Sequence, residues 1–111
     1  MTKSRGSELI ITAVFEARPG EETTGEADLV RLAERSRREA GCLAYEVYCV
    51  SGRPGEFVLF ERWVDEDAWR THLATPHVSA LRSELFTTVP PGTRLKHASM
   101  TDTSTSEEDT Q

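Results

Sequence analysis

The sequence predicts an α+β domain of order β-α-β-β-α-β, built on an antiparallel sheet. Three observations lead there. A β-branched and aromatic run, Leu9–Ala17, precedes a stretch with helical periodicity. Two strand-like runs then flank a Gly/Pro turn, and a short helix pattern follows them. A last strand-like run closes the chain after Val89-Pro90-Pro91-Gly92.

Taken in order, residues 1–7 are polar and are expected to form a flexible arm. LIITAVFEA at 9–17 reads as the first strand, and Arg18-Pro19-Gly20 breaks it. Thr23 followed by Glu26 fits a capping box, which predicts a helix running from there to about Ala40. Leu29, Leu32, Ala33, Ser36 and Ala40 would share its buried face, and Gly41 is placed to stop it. Leu43–Val50 and Phe57–Val64 read as a hairpin across Arg53-Pro54-Gly55. Asp65 can cap a helix from Glu66 to about Ala74. Thr75-Pro76 then opens another turn or helix, with Thr as cap and Pro at its first position. Thr93–Met100 reads as the last strand. This order is that of a ferredoxin-like domain, assigned to residues 8–100. Residues 101–111, TDTSTSEEDTQ, read as a disordered acidic tail.

At 111 residues the chain suits one domain with a modest core. Both hairpin strands are apolar on both faces, so the sheet wants cover on each side. This chain's helices can cover one. A second sheet is needed for the other, and a homodimer packing sheet on sheet would supply it.

Composition excludes several classes. Net charge is −6, and the tail holds four of the acids without a base, leaving the rest near neutral. No basic patch or nucleic-acid motif is present. No apolar run approaches the ~20 residues of a membrane span. The first residues lack a signal-peptide pattern, so a cytoplasmic location is expected. Cys42 and Cys49 lie seven apart in one predicted strand, which would point them to opposite faces as free thiols.

Gly41-Cys42-Leu43 with Tyr45-Glu46, Phe57-Val58-Leu59, Glu61, Trp63, and His72-Leu73 with Thr75-Pro76-His77 resemble the antibiotic biosynthesis monooxygenase family, of the dimeric α+β barrel superfamily. The resemblance covers about residues 8–100. It implies a homodimer and, among several activities in the family, cofactor-free oxidation of aromatic polyketides or quinols by O2. The polyketide-oxidising branch is matched at Trp63 and, six residues later, at Trp69. That branch also has an Asn where this chain has Leu59, and the haem-degrading branch uses an Asn of its first strand. This chain contains no asparagine. The resemblance therefore speaks against haem degradation by that route and implies different polar groups for a polyketide-type reaction.

Such a reaction needs an electron-rich phenol or enol, a base and a dry pocket. Trp63 and Trp69 either line that pocket or serve as core and dimer-seam aromatics. His72, three residues past Trp69, is a candidate catalytic base or a structural imidazole. Glu61 shares a strand face with Phe57, Leu59 and Trp63, so it must be paired or have a raised pKa, as base or as structural partner. His77, Tyr45 and Arg82 complete the candidate substrate contacts; His97 stands beside Leu95 on the last strand with no role assigned. His72 and His77 are five apart with no carboxylate at a useful spacing, so no metal site is expected. Nor is a phosphate loop or dinucleotide fingerprint present, and no cofactor is expected. The expected partners are a small aromatic substrate, O2 and a second copy of the chain. Two rival readings remain: an isomerase or tautomerase using the same pocket without O2, and a non-catalytic small-molecule-binding dimer.

Overall fold

The structure is a computed structural model that describes residues 8–88 and 93–96. Its elements are β1 (Leu9–Ala17), α1 (Glu22–Ser36), β2 (Cys42–Cys49), β3 (Glu56–Trp63), α2 (Glu66–Leu73), α3 (Pro76–Ser79), a 3-10 turn (Ser83–Leu85), β4 (Phe86–Thr88) and β5 (Thr93–Lys96). All strand pairs are antiparallel, and the order across the sheet is β2-β3-β1-β4, with β5 also on β1. The ferredoxin-like expectation holds.

The last strand differs from expectation. The outer edge of β1 is shared by two short strands. β5 pairs with Leu9–Thr12, and β4 pairs with Glu16 and Ala17. Phe86–Thr88 was not expected as a strand. Three residues are too few to show an alternation, and pairing with β1 is what makes them one. Val89–Gly92, the arm 1–7, the rest of the expected strand after Lys96 and the tail lie outside the described residues.

β3 alternates perfectly: Phe57, Leu59, Glu61 and Trp63 are buried, and the residues between them are half-buried. They meet Leu9, Ile11 and Phe15 of β1 and, from above, Leu29, Leu32 and Ala33 of α1. Helix α1 starts earlier than the sequence suggests. Its cap position is Glu21, without a side-chain cap bond, and not Thr23. Gly20, at φ 88°, turns the chain directly into the helix, and the Glu22 carboxylate accepts from the Gly20 amide instead. Gly25 is buried inside α1, where a Cβ would meet the Phe86 ring at 3.2 Å. The helix ends at Ser36, so Ala40 leaves the buried face.

Gly41 therefore does not end the helix. Its role is close approach: a Cβ there would stand 2.3 Å from the Cβ of Ala68 in α2. The Gly41 carbonyl also accepts from the Val64 amide, which ties the end of β3 to the start of β2.

A β-bulge between Cys42 and Ala44 changes the parity of β2. Cys42 pairs with Trp63 and Cys49 with Phe57, two residues on the same face of β3. The two thiols thus share a face, contrary to the opposite-face expectation, and both are free. The extra residue of the bulge pushes Leu43 outward, 47% exposed, while Tyr45 turns in.

Candidate functional site

The site forms where β3 hands the chain to α2. Trp63 and Glu61 are two apart on β3 and so point the same way. The Trp63 indole N–H donates to Glu61 Oε1 at 2.9 Å. Tyr45, opposite Glu61 on β2, donates its hydroxyl to the same carboxylate. All three residues are almost fully buried. Ser36 of α1 closes the cluster; its buried hydroxyl faces Tyr45 without a hydrogen bond of good geometry.

Helix α2 carries His72 onto this cluster. Asp65 caps it as expected, accepting from the Ala68 amide at 2.9 Å. The His72 ring lies 4.6 Å from the Trp63 ring and 5.5 Å from that of Tyr45, centroid to centroid. Thr75 then turns the chain sharply. Its hydroxyl donates to the His72 carbonyl at 2.7 Å and accepts from the Val78 amide, and Pro76 begins α3. This reversal brings His77 back, with its ring 6.0 Å from that of His72.

Glu39, on the turn between α1 and β2, joins both histidines. Its Oε2 lies 2.7 Å from His72 Nδ1 and 2.6 Å from His77 Nε2. The sequence shows no carboxylate at a ligand spacing beside these histidines, because Glu39 lies 33 residues before His72 and 38 before His77. The fold supplies it by bringing the turn after α1 to His72 of α2 and His77 of α3. No local pattern could have signalled Glu39.

Electrostatics follow from burial. Desolvation pushes the Glu61 carboxyl up to about 7, and the bonds from Trp63 and Tyr45 only partly offset it. Desolvation likewise lowers His72, against the pull of Glu39, so the imidazole is neutral at pH 7. Burial raises Tyr45 well above the ordinary phenol range. Burial, helped by the charges of Glu39 and Glu61, raises Cys42 to about 11, which removes it as a nucleophile.

Of the expected site residues, His72, Glu61, Trp63, Tyr45 and His77 come together. Trp69 packs half-buried against the core from α2. Arg82 does not join them. Its guanidinium grips Asp28 of α1, with Nη2 at 2.8 Å from Oδ1 and Nε at 3.1 Å from Oδ2, and its own amide also donates to Asp28. Asp28 sits on the buried face of α1, where an uncompensated carboxylate would be costly, so Arg82 is committed to it and is not available to a substrate. A small cleft of about 30 Å³ runs beside His77, between Asp28, Arg31, Leu32, Arg35 and Leu81. It has room for a water molecule and none for an aromatic ring.

The family model for antibiotic biosynthesis monooxygenases matches residues 9–84, which is more than half of the chain and contains every residue of this cluster. The chain belongs to the antibiotic biosynthesis monooxygenase family. Among curated members, Rv0793 of Mycobacterium tuberculosis, provisionally named a monooxygenase, is 33% identical over 79 residues, or 71% of this chain and 77% of that protein. YcnE of Bacillus subtilis, with the same provisional name, is 28% identical over 69 residues, or 62% of this chain and 73% of its own. The crystal structure of PA3566 from Pseudomonas aeruginosa superposes with a TM-score of 0.80 at 28% identity, covering 89% of this chain and all of that one. The structure of Rv0793 does so with 0.71 at 31% identity, covering 88% and 100%. In this member of the family, Leu59 is a core residue, 2% exposed, so the place of the related branch's Asn is apolar in fact as well as in sequence.

Proposed function

We propose that the protein is a homodimeric monooxygenase that oxidises a phenol- or quinol-type aromatic substrate with O2 and no cofactor. The observation that carries this reading is the buried carboxylate of Glu61, held by Trp63 and Tyr45 beneath the neutral imidazole of His72. Two groups that can accept a proton near neutral pH thus stand among aromatic walls.

The electron balance needs no outside reductant. A methylene between aromatic rings and O2 become a carbonyl and water, and the substrate supplies all four electrons. A hydroquinone and O2 likewise become a hydroxyquinone and water. The protein's task is to take the hydroxyl or enol proton, so that the electron-rich anion can reduce O2, and to keep the reaction dry. Glu61 and His72 would take and return protons. Trp63, Tyr45, Trp69 and His77 would form the walls, completed by a second copy or by side-chain movement, because the cleft beside His77 is too small for a ring.

The test is O2 uptake by metal-stripped protein against a panel of anthrones and hydroquinones. Stoichiometric uptake is expected, with Glu61→Gln and His72→Ala each lowering kcat by on the order of 100-fold. Trp63→Ala should mainly raise KM. Turnover that proceeds equally well under nitrogen would overturn the reading in favour of an isomerase on the same residues.

A further inference from the structure

Three side chains from three separate elements converge on one point. Glu39 comes from the turn after α1, His72 from the last turn of α2 and His77 from the start of α3. Their ligand-capable atoms all lie within 4.8 Å of one another. Both imidazoles address the same oxygen, Oε2, through Nδ1 of His72 and Nε2 of His77. Without an ion, this oxygen can accept from both rings; the same convergence aims three potential ligand atoms at one place.

We propose that Glu39, His72 and His77 form a binding site for a divalent first-row transition-metal ion of the Zn(II), Co(II) or Fe(II) class. Two neutral imidazoles and one carboxylate are the donor set such ions prefer, whereas Mg(II) and Ca(II) want oxygen alone. At metal–ligand distances of about 2.0–2.2 Å the donors of a tetrahedral site stand roughly 3.3–3.6 Å apart. The present contacts of 2.7 and 2.6 Å must therefore each open by somewhat under ~1 Å to admit an ion.

The surroundings are those of a built site. The His72 side chain is 3% exposed, Glu39 13% and His77 16%, so the ion would be largely shielded from bulk water. Thr75 holds the reversal through its bonds to the His72 carbonyl and the Val78 amide, and Trp63 and Tyr45 fix the His72 ring. His77 also borders the small cleft, on the side of the cluster that is less buried than His72. The histidines are five positions apart, one too many for neighbours on a single helix. The break at Thr75-Pro76 is what lets both reach Glu39.

The inference concerns binding and goes beyond the oxygenase reading, which uses no metal. The test uses the full chain, stripped with chelator and titrated with Co(II), whose visible d–d bands report imidazole and carboxylate ligation. The expected result is saturation at one ion per chain, displacement by Zn(II), and a rise in Tm with Zn(II). His77→Ala and Glu39→Gln, at positions less buried than His72, should each weaken binding about tenfold or more while circular dichroism shows an intact fold. His97→Ala removes the chain's remaining histidine and should leave the titration unchanged. No saturable bands, equal affinity in His77→Ala and Glu39→Gln, or a thiolate charge-transfer band from Cys42 or Cys49 would each overturn the proposal.

Discussion

Glu61 shows how one residue's environment sets its chemistry. A glutamate on a strand face shared with Phe57, Leu59 and Trp63 cannot stay hydrated, and at 6% exposure its carboxyl is pushed up to about 7. In the unfolded chain the same group titrates near 4.5. The native state therefore binds the proton more tightly. Its contribution to stability is complete below about pH 4.5 and is lost as pH rises through about 7, a change on the order of 3 kcal/mol. Glu61→Gln keeps an oxygen for the Trp63 indole and does not ionise. Chemical denaturation at pH 5 and pH 8 should show this pH dependence in the wild type and its loss in the variant, with Glu61→Gln the more stable of the two above pH 7. An identical pH slope in both proteins would mean that Glu61 is not buried as described. Arg82 offers a contrasting case. Because it is spent on Asp28, Arg82→Met should lower Tm yet leave KM for the proposed substrates unchanged.

At the scale of elements, the site depends on how α2 is seated. Its N-terminus is fixed by Asp65 and its approach to the chain before β2 by Gly41. Asp65→Ala removes a side-chain cap and should cost about 1 kcal/mol. Gly41→Ala would force a Cβ into Ala68, so α2 must shift or the backbone must strain, at about 1–3 kcal/mol. Because α2 carries His72, the second variant should also disturb the contact of His72 with Glu39. A changed His72 side-chain resonance in Gly41→Ala, against an unchanged one in a surface control such as Glu34→Ala, would show it. Thermal unfolding with no loss of Tm in Gly41→Ala would refute the close-approach account.

At the scale of the whole molecule, the described residues cover one face of the sheet more fully than the other. The outward residues include Ile10, Val14, Tyr48, Val58 and Phe60, with Val14 48% and Tyr48 53% exposed. In one copy of the chain, no helix lies over that face among the described residues. A second copy packing sheet on sheet would bury it, and we expect a dimer in sedimentation at micromolar concentration. Val58→Glu, at the centre of the face, should yield a monomer. A stable wild-type monomer at that concentration would remove the dimer from the proposed function.

Local signals in the sequence determined most of the elements. β-branched alternation marked β1 and β3, Gly and Pro marked the turns, and Asp65 and Thr75 marked two helix starts, because capping and turn chemistry act over a few residues. The motifs around Trp63 and His72 were equally legible, since neighbours on one strand or helix are fixed by its period. Tertiary structure decided everything that depends on distant partners. The bulge after Cys42 turned Tyr45 inward and put the two cysteines on one face. Pairing with β1 made a strand of Phe86–Thr88. Burial of Asp28 claimed Arg82, and the fold brought Glu39, on the turn after α1, to the two histidines. Each of these contacts joins residues that no local period relates, so only the folded chain could bring them together.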